Sequence, residues 1–391
     1  WIVAYNAACG LGLLYGVGAA ARRLRRSGAA DPQRTAGVGA IVAVMSLPIG
    51  AGLLFLTDAV WSEMSVFLHM GVLIVALASL TERWRPAAAL WVIAAAVCSY
   101  QTRRQMGVLP VVLVATGGLL WLKSWRRRLP AGSGRPWQWI ALGLASLLAL
   151  YGSTRAEAHL FAASSRPQGT LANVFLMRTL ACTLGCRVSL YSTDCSTEAG
   201  RQQVESATCF ALATGQASLG PPRLSPKLST ATLLGSIGWG ATLRFVVEAP
   251  LRYLTYPPAG TELGDVRFWN RPLPKMDPDW WPEVAQAYGP YFDTAPPRPG
   301  GIFSGVYKGL QRAYQDLWLY HALTGILLVA CLGALLWSRE PVVLVLCLLS
   351  VTTFLCFALL NPITPLRYLM QCIVPGFAGV LLGGLEWARL D

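Results

Sequence analysis

The sequence predicts an all-α polytopic membrane protein. Of its 391 residues, 54% are hydrophobic and only 13% are charged, and the mean hydropathy is +0.47. A helix needs about 20 mostly apolar residues to cross the hydrocarbon core of a bilayer. Nine segments are candidates, at about residues 1–20, 36–56, 63–80, 87–101, 106–122, 137–152, 317–337, 341–360 and 368–385.

Arginine and lysine occupy alternate loops between these segments. They are dense in residues 21–35, 81–86 and 123–136 and recur at Arg339. Because positive residues favour the cytoplasmic side of a membrane, this pattern orients the first segment from outside to inside and alternates the others. The net charge of +13 is therefore interpreted as orienting charge that meets anionic lipid, and not as a nucleic-acid signal.

Three regions follow from this topology. Residues 1–152 form an N-terminal transmembrane core of about six helices, and residues 317–391 contribute about three more. Between them, residues 153–316 are expected to form a large outer, periplasmic domain of mixed structure. Amphipathic helices are expected there at 196–214 and 303–316.

One segment of this outer region is ambiguous. Residues 231–250 are long enough to cross a bilayer, but Arg244 and Glu248 would be costly in lipid. A tenth crossing would also place Arg339 outside. We therefore interpret the segment as an interfacial or surface-buried helix.

Four cysteines cluster in the outer region. Cys182, Cys186, Cys195 and Cys209 have the spacing C-x3-C-x8-C-x13-C. An oxidising compartment favours one or two disulfides, for which four cysteines allow three connectivities. Free thiols and a zinc site are the alternatives, although the spacing matches no usual zinc pattern.

The unusual charges lie in short outer loops. Arg103, Arg104 and Arg367 oppose the charge bias of the chain, and Asp58 and Glu63 occupy a third outer loop. Arginine binds phosphate through paired donors, and a carboxylate can act as a base or hold a divalent cation. The alternative is that these residues are ordinary interfacial caps and salt bridges.

The histidines are weaker candidates. His69 and His321 fall inside predicted spans, where a polar residue most often faces a neighbouring helix. His159 begins the outer region and is expected at the surface. The sequence contains no P-loop, Rossmann glycine pattern, H-E-x-x-H or G-x-S-x-G. Chemistry is therefore expected at the outer face.

The order and sidedness of these loops resemble the GT-C superfamily of membrane glycosyltransferases. The residues that carry the resemblance are LLYGVGAAARRLRR, TAGVGAIVAVMSLPIGAGLLFL, TDAVWSEMSVFLHM, YQTRRQMGVLPVVLV, FVVEAPLRYL and RYLMQCIVP. The aminoarabinose transferase of lipid A and the protein O-mannosyltransferases have this architecture. The resemblance covers residues 1–152 and 317–385 and leaves the outer region unassigned.

The resemblance implies a role for each matching residue. Arg103 resembles the arginine that binds the donor phosphate, with Arg104 as its neighbour. Arg367 and Tyr368 resemble the late Arg-Tyr pair, a second phosphate contact. Glu63 matches the acid before the third span, and Asp58 is its companion. The family's principal catalytic acid belongs to a first outer loop, which is expected upstream of Trp1.

The sequence thus leads to one preferred function and two alternatives. We expect an enzyme of the bacterial inner membrane that moves a sugar from a polyprenyl-phosphate donor to a hydroxyl of a lipid, glycan or protein. Membrane lipids are expected partners and nucleic acid is not. No cofactor is certain, and a divalent cation at the outer carboxylates stays open. The alternatives are a non-enzymatic structural subunit of a membrane complex and an O-antigen ligase or polymerase, whose donor carries a diphosphate.

Overall fold

A computed structural model describes residues 2–26, 31–56, 62–126, 135–160, 230–255, 318–360 and 366–389, with short pieces at 176, 179–180, 183–185 and 196–200. Its long elements are all helices. They are α1 (Ile2–Arg26), α2 (Pro32–Leu56), α3 (Ser62–Glu82), α4 (Pro86–Thr102), a 3₁₀ turn (Arg104–Val108), α5 (Leu109–Arg126), α6 (Pro136–Leu160), α7 (Thr230–Thr255), α8 (Trp318–Trp337), α9 (Pro341–Leu360) and α10 (Leu366–Trp387).

Each of the nine predicted spans coincides with one of these helices. Five stretches are long and apolar enough to cross a membrane: Met64–Glu82, Met106–Ser124, Tyr320–Trp337, Pro341–Leu360 and Tyr368–Trp387. Helix α4 is apolar but shorter. The prediction of a helical membrane protein is therefore confirmed, whereas crossing by all nine helices stays a prediction.

The helices of the bundle expose many apolar side chains to their surroundings. Val44 and Leu148 are each 71% exposed, and Leu336 is 85% exposed. Soluble proteins rarely expose so many large apolar side chains on neighbouring helices. Lipid is the surrounding that suits them, because it removes the cost of leaving them in water.

Helices α1 and α3 run parallel and in close contact. Tyr5 Oη lies 2.9 Å from Ser65 Oγ at one end, and Arg23 Nε lies 3.8 Å from Glu82 at the other. Between these contacts, a Cβ on Gly16 would lie 2.6 Å from the carbonyl oxygen of Gly71. Small residues at both positions let the two backbones approach, as in many membrane helix pairs.

Helices α9 and α10 form an antiparallel pair. The Ser350 hydroxyl donates to the Cys372 carbonyl at 2.8 Å. A Cβ on Gly376 would meet Ser350 Oγ at 2.6 Å, so this crossing also requires a small residue. Helix α8 packs on both through Cys331, and α7 packs on α8 and α9 through Tyr253.

One end of the bundle, which we call the basic end, gathers charged side chains from both halves of the chain. Arg23 pairs with Glu340 at 3.4 Å, and Lys123 donates to the carbonyls of Leu335 and Ser338. Such contacts satisfy carbonyls at the end of α8 that have no partner within the helix.

Glu386 completes the basic end. It accepts hydrogen bonds from Ser338 Oγ at 2.5 Å and from the backbone N–H of Arg339 at 3.0 Å. Nearby, the Asp31 N–H donates to the Ala388 carbonyl at 2.8 Å, which joins the start of α2 to the end of α10.

Contacts at the opposite end, which we call the Arg103 end, complete the topology. Gln101 Nε2 donates to Ser153 Oγ at 3.0 Å, joining the end of α4 to α6. Helices α1, α3, α5, α8 and α10 therefore run toward the basic end, and α2, α4, α6 and α9 run away from it. The helix directions thus alternate as the sequence predicts, and which end faces the cytoplasm stays a prediction.

The outer region is described mainly through α7. This helix carries a kink at Gly238, whose φ of 75° favours glycine. It includes the ambiguous segment 231–250 and is not among the five stretches apolar enough to cross. Its interfacial position stays a prediction. The segment 303–316, residues 201–214 of the predicted helix 196–214, and the four outer cysteines lie outside the described residues.

Candidate functional site at the Arg103 end

A sharp turn between α4 and α5 positions Arg103. The residue has extended backbone angles (φ −144°, ψ 111°) that end α4, and its N–H donates to the Ser99 carbonyl at 2.8 Å. Its own carbonyl accepts from the N–H of Met106 at 2.9 Å, within the following 3₁₀ turn. Met106 is buried, so the turn is anchored in the core.

A glycine keeps this turn close to α4. A Cβ on Gly107 would lie 3.1 Å from the ring of Tyr100. The aromatic side chain thus packs over the glycine and fixes the angle between α4 and α5. The Arg103 backbone is therefore fixed by its hydrogen bonds to Ser99 and Met106 and by the packing of Gly107 against Tyr100.

The Arg103 guanidinium lies over the ring of Tyr368. Its central carbon is 5.7 Å from the ring centroid, which is cation–π distance. Tyr368 in turn stacks on Phe357, with 4.8 Å between centroids and 6° between the planes. We call these three side chains the Arg103 stack, and they join the α4–α5 turn to α9 and α10.

The Arg103 stack lies at the end of a well-packed helix pair, with Arg103 and Tyr368 half-buried and Phe357 buried. Tyr368 lies in the first turns of α10, packed against the main core. Below it, Cys372 Sγ donates to the Tyr368 carbonyl at 3.5 Å, and the Cys372 carbonyl is bound by Ser350. The Tyr368 ring is therefore packed against Phe357 of α9, and it contacts the Arg103 guanidinium.

This geometry suits recognition of a phosphate. A guanidinium that stacks on an aromatic ring keeps its charge, and its donors point outward in the plane of the group. A cation–π contact contributes about 0.5–2 kcal/mol, depending on how far it is removed from water. That contribution restricts the side chain before any ligand arrives, which reduces the entropy lost on binding.

The structure places the other predicted site residues only in part. Glu63 lies in the first turn of α3, at the same end of the bundle as Arg103. Arg104 begins the 3₁₀ turn, and Arg367 is the second residue of α10, directly before Tyr368. Asp58 lies outside the described residues. Arg103 and Tyr368 are thus brought into contact, and the catalytic roles of the two acids stay predictions.

A metal site is not formed by the part of the chain that the structure describes. Within it, no three His, Cys, Asp or Glu side chains come together in a way that could hold an ion. The outer carboxylates proposed for a divalent cation include Asp58, which is not described. The cation therefore stays an expectation of the sequence.

The predicted histidine environments can be compared directly. His321 is buried, 3% exposed, and lies against the backbone of Tyr253 in α7. This agrees with a polar span residue that faces a neighbouring helix. His69 is half-buried in α3, and His159 is exposed at the end of α6 as expected.

Sequence reasoning missed several polar residues beneath the Arg103 stack. Gln371 and Thr353 are fully buried, and neither the Gln371 amide atoms nor Thr353 Oγ1 has a hydrogen-bond partner among the described residues. The Ser350–Cys372 and Phe357–Tyr368 contacts place them at neighbouring levels of α9 and α10. Gln371 follows Tyr368 by one helical turn, and this spacing was the signal that could have identified it.

Phe357 was missed for a different reason. A phenylalanine in an apolar span is normally a packing residue, and only the fold shows that its ring supports Tyr368.

The fold and the site together define a helical membrane protein with an arginine–aromatic stack at one end of its bundle. Comparisons with protein families, with curated proteins and with solved structures gave no match.

Proposed function

We propose that this protein is a membrane glycosyltransferase that takes a sugar from a polyprenyl-phosphate donor at the outer face of the bacterial inner membrane. The observation that carries the proposal is the Arg103 stack, a cation ordered by Tyr368 at the end of the bundle opposite the basic end. The resemblance to the GT-C superfamily supplies the reaction class.

The positions of the charges support this assignment. Positive residues are expected on the cytoplasmic side, so the basic end is the cytoplasmic end and Arg103 belongs outside. An arginine there works against the insertion preference of the chain. An anionic lipid headgroup at that depth would compensate for its position.

The reaction needs cations that stabilise the departing phosphate and a base that accepts the proton of the acceptor hydroxyl. As the acceptor hydroxyl attacks the anomeric carbon of the sugar, the bond to the lipid phosphate breaks and negative charge grows on the departing phosphate. Arg103, with its sequence neighbour Arg104 and with Arg367, which directly precedes Tyr368, would stabilise that charge. Glu63 and Asp58 are the candidate bases for the acceptor proton.

Native mass spectrometry of the full-length protein, purified in detergent, tests the proposal. We expect a co-purified polyprenyl monophosphate on the wild type and its loss from the Arg103→Ala variant. Arg155→Ala is the matched control, because Arg155 also stacks on a tyrosine, Tyr151, at 5.3 Å and lies exposed on α6 at the same end of the bundle.

The alternative functions predict co-purified lipids of different mass. A diphosphate-linked glycan would replace the proposal with a ligase or polymerase. Absence of any polyprenyl lipid from the wild type would favour a structural subunit. Equal lipid retention by Arg103→Ala and Arg155→Ala would remove Arg103 from the donor site.

A further inference from the structure

A groove opens on the side of the bundle at the basic end, between α2, α8 and α10. Its volume is about 690 Å³. Ile41 from α2, Ala334 and Trp337 from α8, and Val380 from α10 line it with apolar surface. Gly37 and Gly384 widen it because they have no side chains.

The groove faces the surroundings of the bundle. Ile41 is 58% exposed and Trp387 is 46% exposed along its walls. Two of its walls, α8 and α10, are among the helices able to cross a membrane. The eight residues from Arg34 to Ile41 extend about 10 Å along α2, which is about a third of the hydrocarbon core.

The mouth of the groove is polar and basic. Arg34 lies there with Gln33, and the Arg34 guanidinium is 5.0 Å from the centroid of the Trp387 ring. Its Nε lies 3.3 Å from the Asp31 carboxylate, which also accepts the N–H of Gln33 at 2.8 Å at the start of α2. The guanidinium is therefore held in place at the mouth.

The charge around the mouth selects the sign of a ligand. Arg34 is the charged residue among those that line the groove, and the stretch of sequence that leads into α2, residues 21–35, contains five arginines and one aspartate. Tryptophans at the same level, Trp337 and Trp387, are typical of the headgroup region of a membrane. An apolar groove with a basic, aromatic mouth matches a molecule that has an acyl chain below an anionic headgroup.

We propose that this groove binds an anionic glycerophospholipid from the membrane leaflet at the basic end. One acyl chain lies between α2 and α10, and the phosphate lies at Arg34. Bound there, the lipid fills the space between the start of α2 and the C-terminal helices. This site is separate from the Arg103 end and does not depend on the proposed transferase function.

Lipid titration of the full-length, delipidated protein in detergent, followed by native mass spectrometry, tests the proposal. Phosphatidylglycerol and phosphatidylcholine with identical acyl chains separate the headgroup from the chain. One basic residue near a membrane surface favours anionic lipid by about fivefold. We expect a preference of about that size in the wild type and its loss in Arg34→Gln, while Arg135→Gln, an exposed arginine at the start of α6, keeps it.

A second pair of variants tests the groove itself. A Cβ on Gly37 or on Gly39 meets no atom within 4 Å, so both positions of α2 accept a side chain. Only Gly37 lines the groove. Gly37→Phe is expected to reduce phosphatidylglycerol binding because its ring would occupy the groove, and Gly39→Phe is expected to leave it unchanged.

Four results would overturn the proposal. The first is equal affinity for the two lipids in the wild type, and the second is equal loss in Gly37→Phe and Gly39→Phe. The third is a protein dimer that Gly37→Phe disrupts, because a second copy would then occupy the groove. The fourth is displacement of phosphatidylglycerol by inorganic phosphate at concentrations as low as those of the lipid itself, since the acyl chain would then contribute nothing.

Discussion

Arg103 and Tyr368 come from the two halves of the chain and meet at cation–π distance, 5.7 Å, at the Arg103 end of the bundle. The contact joins the α4–α5 turn to the first turns of α10. It also fixes the guanidinium in a direction set by the core, because Tyr368 rests on Phe357 of α9. A charge placed in this way can act on a ligand without first being ordered.

Removal of the Arg103 charge should impair the proposed transfer reaction. Arg103→Ala is expected to lower turnover about tenfold or more, since one well-placed donor at a developing anion contributes several kcal/mol. Transfer of radiolabelled sugar in membranes measures the effect. The melting temperature in detergent should stay near that of the wild type. Unchanged transfer would exclude Arg103 from the site.

The ring of Tyr368 should matter more than its hydroxyl. Tyr368→Phe retains the aromatic face and should keep most of the activity, whereas Tyr368→Leu loses the cation–π contact and should lower it about threefold to tenfold. Tyr151→Leu, which removes the corresponding contact to Arg155, is the control. If Tyr368→Phe were as impaired as Tyr368→Leu, the hydroxyl and not the stacking would be the important group.

The close approach of α1 and α3 should depend on Gly16. Alanine normally stabilises a helix relative to glycine by about 1 kcal/mol, but a Cβ here would strike the Gly71 backbone at 2.6 Å. Gly16→Ala should therefore lower the melting temperature in detergent.

Gly18→Ala is the matched control on the same helix. Its Cβ would meet only the end of the Arg22 side chain, at 3.8 Å, so stability should be equal or higher. Equal melting temperatures for the two variants would show that the crossing is looser than described.

The ion pair between Arg23 and Glu340 should stabilise the basic end. Both side chains are largely buried, 18% and 19% exposed, and the pair joins α1 to the start of α9. Glu340→Ala should lower the melting temperature, and the Arg23→Ala/Glu340→Ala double variant should lose less than the sum of the single variants.

Glu82 offers the comparison for this pair. It lies 3.8 Å from the same arginine but is 63% exposed, so Glu82→Ala should have little effect. Additive losses in the Arg23 and Glu340 variants would show that the pair contributes no coupling.

The helical architecture could be predicted because apolar length and the alternation of Arg-rich loops are local signals. Segments such as 341–360 and 368–385 therefore match α9 and α10 closely. The site could be predicted only in part. Arg103 stood out because it opposes the charge bias, but its contact with Tyr368 depends on how α4 and α10 pack, which no short pattern encodes.

The remaining features depend on tertiary contacts in the same way. Phe357 looks like an ordinary residue of an apolar span, and only the fold shows that its ring stacks on Tyr368. Gln371 lies one helical turn after Tyr368, but its complete burial follows from the packing of α9 and α10. The groove at Arg34 arises where three helices separated in sequence leave a gap at glycines. The glycines are visible in the sequence, but the gap between α2, α8 and α10 depends on how these helices pack.

The most direct test of the account is the binding of a soluble lipid phosphate. Titration of the full-length protein with farnesyl monophosphate and with farnesol, which lacks the phosphate, isolates the contribution of the charge. We predict that the wild type and Arg155→Gln prefer the phosphate by about tenfold, or about 1.4 kcal/mol, and that Arg103→Gln loses this preference. The same preference in all three proteins would contradict the assignment of Arg103 to a lipid phosphate.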